Sequence, residues 1–413
     1  MWKLVTALLA GLLAAVPLVP RPAATQTGPI KIGMIVPQSG PLAANGKDMI
    51  NGYEMFFEEN RYRLAGREVK FIVEDDEGKP ATGLTKIRGL VEGQGVHLVT
   101  GPLSAGVGYA VAPYIESKKV PALFPIVAGD DLTQRKRSPY IVRVGWAGSQ
   151  PSHPFGKWVY DNLKYRRIAV IAYDFAFGWE VVAGFHRSFE ESGGQVVQKL
   201  WPPLGNADFA PYVSQLRRDV DAVFAQFSGA DALRFAKQYA EAGLKGKVPL
   251  IGGGTFTDEH VLRTMGDEVL GVITPLHYSA ALENAANKRF ARAYEAKYKQ
   301  TPSYYSEGTY VAGLVLKAAL EATGGDIENV DRFLGALRKV DLSDMPRGPM
   351  RFDDYGNPIM NIYVRKVERV SGRLQNSVVH TFPSVSQFWT YKPEEFLKQP
   401  VYDRNNPPCK HCQ

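Results

Sequence analysis

The chain has 413 residues, 45% of them hydrophobic and 22% charged, and a formal net charge of +7. This is an ordinary globular composition, long enough for two core-forming domains. The positive charge is scattered in short clusters such as Arg135-Lys136-Arg137, with no basic stripe interleaved with aromatics, so no nucleic-acid partner is expected.

Lys3 and an apolar run from Leu4 to Val19 open the chain, followed by the small residues Ala23 and Ala24. The run is short for a membrane span, and residues 1–26 read as a cleaved secretory signal peptide, with an uncleaved N-terminal anchor as the alternative. No Cys lies near this segment, so a lipid anchor of the bacterial lipoprotein kind is not expected. No later run is long and apolar enough to span a bilayer, which predicts a soluble mature chain.

From Ile30 to Phe124 the pattern alternates between strand and helix. Strands are predicted over Lys31–Pro37, Val69–Glu74, Val96–Thr100 and Ala122–Phe124, with helices over Gly46–Asn60, Ala81–Glu92 and Val107–Ser117. Near-continuous apolar strands separated by helices mean a parallel sheet covered on both faces. A second series follows Arg143-Val-Gly-Trp146, with strands over Arg167–Tyr173, Val196–Trp201, Ala222–Phe227 and Val248–Gly252 and helical spacing between them. Helical patterns then return over Asn284–Tyr298 and Glu307–Thr323, and late strands are predicted at Gly348–Phe352 and Met360–Val367. The fold class is therefore α/β with two similar lobes, the chain passing between them more than once.

Four loops follow strand ends: Gln38-Ser-Gly-Pro-Leu-Ala-Ala-Asn-Gly46, Thr100-Gly-Pro-Leu-Ser-Ala-Gly106, Asp174-Phe-Ala-Phe-Gly-Trp179 and Gly252-Gly-Gly-Thr-Phe-Thr257. Small residues let a ligand approach the backbone, and a helix N-terminus offers unpaired N–H groups to a carboxylate. Each loop taken alone also reads as a tight turn that needs glycine. Asn45 closes the first loop and joins the candidate site. The spacing of Gly33 and Gly40 does not make a dinucleotide fingerprint, and there is no Walker A, GxSxG or HExxH motif. No cofactor, metal or catalytic residue is expected. His97 and His277 read as structural histidines, and the Asp75-Asp-Glu77 cluster as a solvated turn rather than a metal site.

The only two cysteines, Cys409 and Cys412, lie in the tail Asn405-Asn-Pro-Pro-Cys-Lys-His-Cys-Gln413. One pair supplies too few ligands for a closed zinc site, so a small local disulfide or an idle tail is expected. The last residues, Cys409–Gln413, read as peripheral and dispensable for ligand binding.

The pattern Lys31–Asn45, the Asp75-Asp-Glu-Gly turn, Gly101-Pro-Leu-Ser104 and Val120-Pro-Ala resemble the leucine/isoleucine/valine-binding protein family, periplasmic substrate-binding components of ABC transporters. Asp174–Gly178, Gly229-Ala-Asp-Ala232 and Gly356 extend the resemblance, which covers about Ile30 to Thr390. It implies a type I periplasmic binding protein: two Rossmann-like lobes joined by three crossovers, placed near Val144–Ser149, Val272–His277 and Met350–Asn357. On that basis lobe 1 comprises 27–146 and 274–350, lobe 2 comprises 147–273 and 351–395, and 396–413 is a tail.

The resemblance also implies a monomeric, non-enzymatic periplasmic protein that closes on a small-molecule ligand and delivers it to an ABC transporter permease. A hydrolase or oxidoreductase on the same scaffold, and a ligand-sensing receptor domain, are the rival readings. Family members hold a ligand carboxylate with hydroxyls and amides at positions matching Ser104, Ala105 and Gly106, with Val127 and Ala128 in the next loop. Phe177 matches a tyrosine common in amino-acid binders, and Gly254 stands where those binders place an acid for the ligand ammonium. Asp231, Asp258 and Glu307 are the possible substitutes for that acid. A buried ammonium without a counter-charge is strongly disfavoured. The aromatic set Trp146, Phe175, Phe177, Phe227 and Tyr305, with Tyr109 as a further candidate, then favours an aromatic or apolar carboxylate over leucine-like amino acids, with amides and urea-like solutes next.

Overall fold

Two sheets organise the chain in the computed structural model, which describes residues 28–412; the signal-like segment lies outside them. The first sheet has six strands in the order Arg63–Leu64, Arg67–Asp75, Ile30–Val36, Leu98–Thr100, Ala122–Phe124 and Ile141–Arg143. Pairing is parallel except at the short Arg63–Leu64 edge. Ile32, Met34 and Val36 are buried on one face of their strand and Ile35 on the other, which is why the sequence reads as an unbroken apolar run. The second sheet has nine strands. Eight run in the order Asp341–Leu342, Met350–Phe352, Pro358–Val370, Ile273–Leu276, Leu250–Gly252, Ala222–Gln226, Arg167–Ala172 and Gln195–Leu200, and Arg373–Val385 pairs with Pro358–Val370.

The α/β class with two lobes and parallel central sheets is as the sequence predicts. The sequence does not reveal the length of the closing hairpin. Ser371 and Gly372 both take positive φ, 49° and 82°, the combination that a two-residue turn matching strand twist requires. Much of Arg373–Val385 is exposed, so its side chains carry little of the apolar alternation that marks a strand.

After Arg143 the chain leaves the first sheet, and helix Ser152–Trp158 packs on helix Ala176–Glu191 over the second. After Leu276 it returns, and helix Tyr304–Thr323 lies along helix Ala43–Glu59. It rejoins the second sheet in the strands from Asp341 onward. The first connecting segment is bonded to the chain that follows the last return to the second sheet. The Arg143 amide donates to Gly356 O at 2.8 Å, and the Arg143 guanidinium donates to Trp146 O at 2.7 Å and to Gly129 O. Gln150 Nε2 donates to Pro358 O and Val385 O, each at 2.9 Å. Arg347, fully buried, donates to Val144 O at 2.8 Å and to both carboxylate oxygens of Glu307 at 2.9 and 2.7 Å.

Cys409 and Cys412 form a disulfide. The segment just before them is not idle. Arg135, from the first lobe, donates to the carbonyls of Leu397, Phe396 and Gln399 at 3.2, 3.0 and 2.8 Å. On the second lobe, Tyr402 meets His153 Nε2 at 3.1 Å, and Arg404 pairs with Asp174 at 2.9 Å. Residues 396–404 therefore strap the two lobes together, through arginine–carbonyl and aromatic contacts that the composition of a tail does not announce.

Candidate ligand-binding cleft

The C-terminal ends of the central strands of both sheets face a common cleft. In the first lobe, strand Leu98–Thr100 ends at Gly101, whose φ of 83° leaves no room for a side chain: a Cβ there would lie 2.0 Å from Ile35 O. This turn sends the chain through Leu103 and Ser104 into helix Ala105–Lys118. Ser104 caps the helix in extended conformation, but its side chain makes no capping bond, so the hydroxyl is left for the cleft. The amides of Ala105 and Gly106 begin the helix, where no preceding turn supplies acceptors.

From the second lobe, strand Arg167–Ala172 leads into Tyr173, Asp174 and Phe175, and Phe175 precedes helix Ala176–Glu191. Asp174 is fixed from two sides, accepting from Trp179 Nε1 at 3.1 Å and from Arg404 at 2.9 Å. The Phe175 and Phe177 rings lie 6.3 Å apart, and Phe177 meets Trp146 edge-on at 5.7 Å.

Between the lobes is a narrow space of about 30 Å³. Leu42, Leu103, Ser104, Ala105, Ile126, Ala128, Tyr304 and Tyr305 line it from the first lobe, and Tyr173, Phe175, Phe177, Leu204 and Ser228 from the second. Of the described residues that line it, none is Asp, Glu, Lys, Arg or His. Burial pushes the Tyr173, Tyr304 and Tyr305 phenols well above their usual range, so all three stay protonated. Tyr173 already spends its hydroxyl on Ser228, donating to the carbonyl at 3.0 Å and accepting from the amide at 3.1 Å.

The three acids that might receive a ligand ammonium are engaged elsewhere. Asp231 accepts from Gly205 N at 2.7 Å and Arg234 at 2.9 Å. Asp258 accepts from His260 N at 3.0 Å and Tyr304 N at 3.1 Å, tying the second lobe to the start of a first-lobe helix. Burial, with Glu259 beside it, pushes Asp258 well above the usual carboxylate range. Glu307 is held by Arg347.

Of the residues singled out from sequence, Ser104, Ala105, Ala128, Phe175, Phe177 and Tyr305 line the space. The others do not. Gly106 stands two residues past Ser104, and a Cβ on it would lie 3.7 Å from the Ser104 hydroxyl. Val127 packs among the first-lobe core side chains. Trp146 stands behind Phe177 and Tyr304 as a second layer. Phe227 is core, its ring 4.9 Å from Phe209 and 5.0 Å from Phe235. Gly254 is pressed against the sheet, where a Cβ would lie 2.5 Å from Pro275 O, and its carbonyl accepts from Arg365 at 2.6 Å. Asn45 is buried beside the cleft at Gly229.

Sequence reasoning did not single out Leu42, Leu103, Ile126, Tyr173, Leu204, Ser228 or Tyr304. Tyr173 and Ser228 stand just past strand ends, as Phe175 does, and that position was the available signal. His277 is buried against Trp146 and Tyr304, at ring distances of 6.1 and 5.8 Å. Burial first, then Arg347 and Arg365, hold it neutral.

Two parallel α/β lobes, hinged by three segments around an apolar cleft with one helix N-terminus at its wall, define a solute-binding architecture. The sequence profile described as periplasmic binding protein matches residues 29–373. The chain is 28% identical over 361 residues to Leu/Ile/Val-binding protein homolog 6 of Brucella melitensis, covering 86% of this chain and 91% of that one. A solved ABC transporter substrate-binding protein from Sphaerobacter thermophilus is 33% identical with a TM-score of 0.82, over 87% and 99% of the two chains. A solute-binding protein of an ABC transporter from Rhodopseudomonas palustris BisB5, in complex with 3,4-dihydroxybenzoic acid, is 32% identical with a TM-score of 0.83, over 87% and 98%. The chain belongs to the periplasmic binding protein family, as a type I, leucine/isoleucine/valine-binding-like substrate-binding protein of ABC transporters. This family is a transport component rather than an enzyme.

Proposed function

We propose that the protein captures a small aromatic carboxylate, of the benzoate class, by closing its two lobes, and delivers it as a monomer to an inner-membrane permease after export by its N-terminal signal segment. One observation carries the ligand class: the cavity wall is aromatic and aliphatic, and Asp231, Asp258 and Glu307 are all committed elsewhere. An α-ammonium would be buried there without a counter-charge, at a cost of several kcal/mol. A carboxylate instead meets the Ser104 hydroxyl and the amides that start helix Ala105–Lys118. Phe175, Phe177 and Tyr305 supply ring faces and edges for an aromatic body. The dihydroxybenzoate held by the Rhodopseudomonas relative agrees with this reading. The name of the Brucella relative favours a second one, a branched-chain amino acid.

A thermal-shift screen of aromatic acids, leucine, isoleucine, valine and amides decides between them, because a ligand that binds only the folded state raises its melting temperature. Aromatic acids are expected to raise it and the amino acids to leave it unchanged. The reverse pattern overturns the ligand class.

The strap carries a separate expectation. Truncation before Asn405 keeps Tyr402 and Arg404 and is expected to change ligand affinity by no more than about twofold. Truncation before Gln399 removes the Arg404–Asp174 pair, the Tyr402–His153 contact and the Arg135 bond to Gln399 O, and is expected to weaken affinity by about fivefold or more. Equal affinities of the two truncations by calorimetric titration would show that the strap does not act on the cleft.

A further inference from the structure

Beside the strap, the two lobes meet through buried acids rather than through the apolar wall of the cleft. Tyr109, on first-lobe helix Ala105–Lys118, does not line the narrow space. Its hydroxyl donates across the lobe boundary to Glu180 Oε1 at 2.7 Å and accepts from Asp131 N at 3.1 Å. Glu180 stands on second-lobe helix Ala176–Glu191 and is 4% exposed. Asp130, from the first lobe, is equally buried, and its Oδ1 accepts from Ser149 N at 3.1 Å. Gly148, in the first connecting segment, closes the remaining side, where a Cβ would lie 3.5 Å from Glu180 Oε2.

The cluster is short of positive charge. Arg143 is the cation that acts on both carboxyls, and its guanidinium is spent on Trp146 O and Gly129 O. Asp353 draws on the same guanidinium. The other charged groups lie toward the strap. Asp131 is paired with Arg135 at 2.9 Å, and Lys136 stands 5.6 Å over the Tyr109 ring. Arg187, Tyr402 and Asp403 line a cavity of about 210 Å³ together with Asp130 and Glu180. That polar cavity has room for water, so protons can reach the pair. Burial first, then the neighbouring Asp130 carboxylate, holds the Glu180 carboxyl well above its usual range, and burial pushes Asp130 up to about 6. Two buried carboxylates that share one cation do not both ionise near neutral pH, and they titrate as a pair. Glu180 Oε2 and Asp130 Oδ2 are the oxygens left to carry the proton.

Asp130 and Glu180 belong to different lobes, so this crowding exists only while the lobes are in contact. With the lobes apart, each carboxyl faces water and ionises in its ordinary range. We propose that lobe closure takes up a proton at the Asp130–Glu180 pair, and that Glu180 is a positioning residue whose neutral form joins the lobes through Tyr109. The inference rests on the closure reading above and not on the ligand class. The joined lobes hold the proton more tightly than the parted ones, so acid pH favours closure. Affinity is level below the ordinary carboxylate range and falls as pH rises above it, by at most about tenfold per pH unit for one proton.

The experiment is calorimetric titration of benzoate and of leucine into the wild type and Glu180→Gln, at about pH 5.5 and about pH 7.5, in buffers of different ionisation enthalpy. The wild type is expected to bind the probe it accepts about fivefold or more weaker at the higher pH, and to take up about half a proton or more on binding. Glu180→Gln keeps an acceptor for Tyr109 without a charge. It is expected to lose most of the pH slope and of the proton uptake, and to bind about threefold or more tighter than the wild type at the higher pH. A merely structural role would weaken binding by the variant at both pH values. Asp258 and the Asp48–His260 pair also span the lobes, but they are present in both proteins, so the difference between the two reads Glu180. Equal slopes or equal proton uptake overturn the inference with either probe. If leucine alone binds, the aromatic-acid reading falls and this inference is still decided. If neither probe binds, urea unfolding of the free chain decides it. Wild-type stability is then expected to fall relative to the variant between about pH 5.5 and about pH 7.5, and parallel curves overturn the inference.

Discussion

Replacing Arg347 by methionine is expected to cost about 3–5 kcal/mol of unfolding free energy, the largest effect of any single substitution considered for this fold. Arg347 is fully buried and makes a two-pronged pair with Glu307, with a further bond to Val144 O. Glu307 belongs to a first-lobe helix, Val144 to the first connecting segment and Arg347 to the turn between the second-sheet strands Asp341–Leu342 and Met350–Phe352. Methionine fills similar volume but leaves a buried carboxylate and a buried carbonyl without a partner. Burial alone raises the Glu307 pKa, and Arg347 is the main influence lowering it. The double variant Arg347→Met/Glu307→Leu removes both charges and is expected to recover part of the loss, since much of the cost lies in the orphaned charge. Urea unfolding of the single and double variants measures both. A single variant within 1 kcal/mol of the wild type would show that the pair does not hold the hinge.

An aspartate at position 105 is expected to abolish carboxylate binding, weakening it by about a hundredfold or more. Ala105 opens the helix whose N-terminus faces the cavity. A carboxylate there is compatible with the helix dipole, so folding is expected to survive. It would put a second negative charge at the wall the anion meets, and like charges about 4 Å apart near a protein surface repel by about 4 kcal/mol. Ala105→Asn has the same shape without the charge and separates crowding from repulsion. The asparagine variant is expected to bind at least about tenfold more tightly than the aspartate variant. Equal affinities in calorimetric titration would place the ligand carboxylate elsewhere.

The Ser104 end of the cleft was legible in sequence because its determinants are local. A buried strand, Gly101 with its obligatory turn, and a serine ahead of a helical pattern lie within a few residues of one another, and they dictate where a helix N-terminus must point. Phe175 and Phe177 were legible for the same reason, following a strand end at a helix start. Phe227 was misplaced by the same rule. It also follows a strand end, but it turns inward to Phe209 and Phe235 while its neighbour Ser228 lines the cavity. One residue of register separates a wall from a core.

Hydrophobic period, glycine turns and helix starts act over a few residues, so the sequence by itself determined two parallel α/β series, the cleft at their strand ends and a helix start at Ser104 facing it. The tertiary structure alone decided which acids are free, because Asp231, Asp258 and Glu307 are committed to partners that lie as far off in sequence as Gly205, Tyr304 and Arg347. It alone brought Leu42 and Leu204 to the same wall from opposite lobes. It also turned the chain end into a strap, through Arg135 and Asp174, more than two hundred residues before their partners. Contacts at that separation depend on how the lobes meet around the hinge, and no local pattern encodes that meeting.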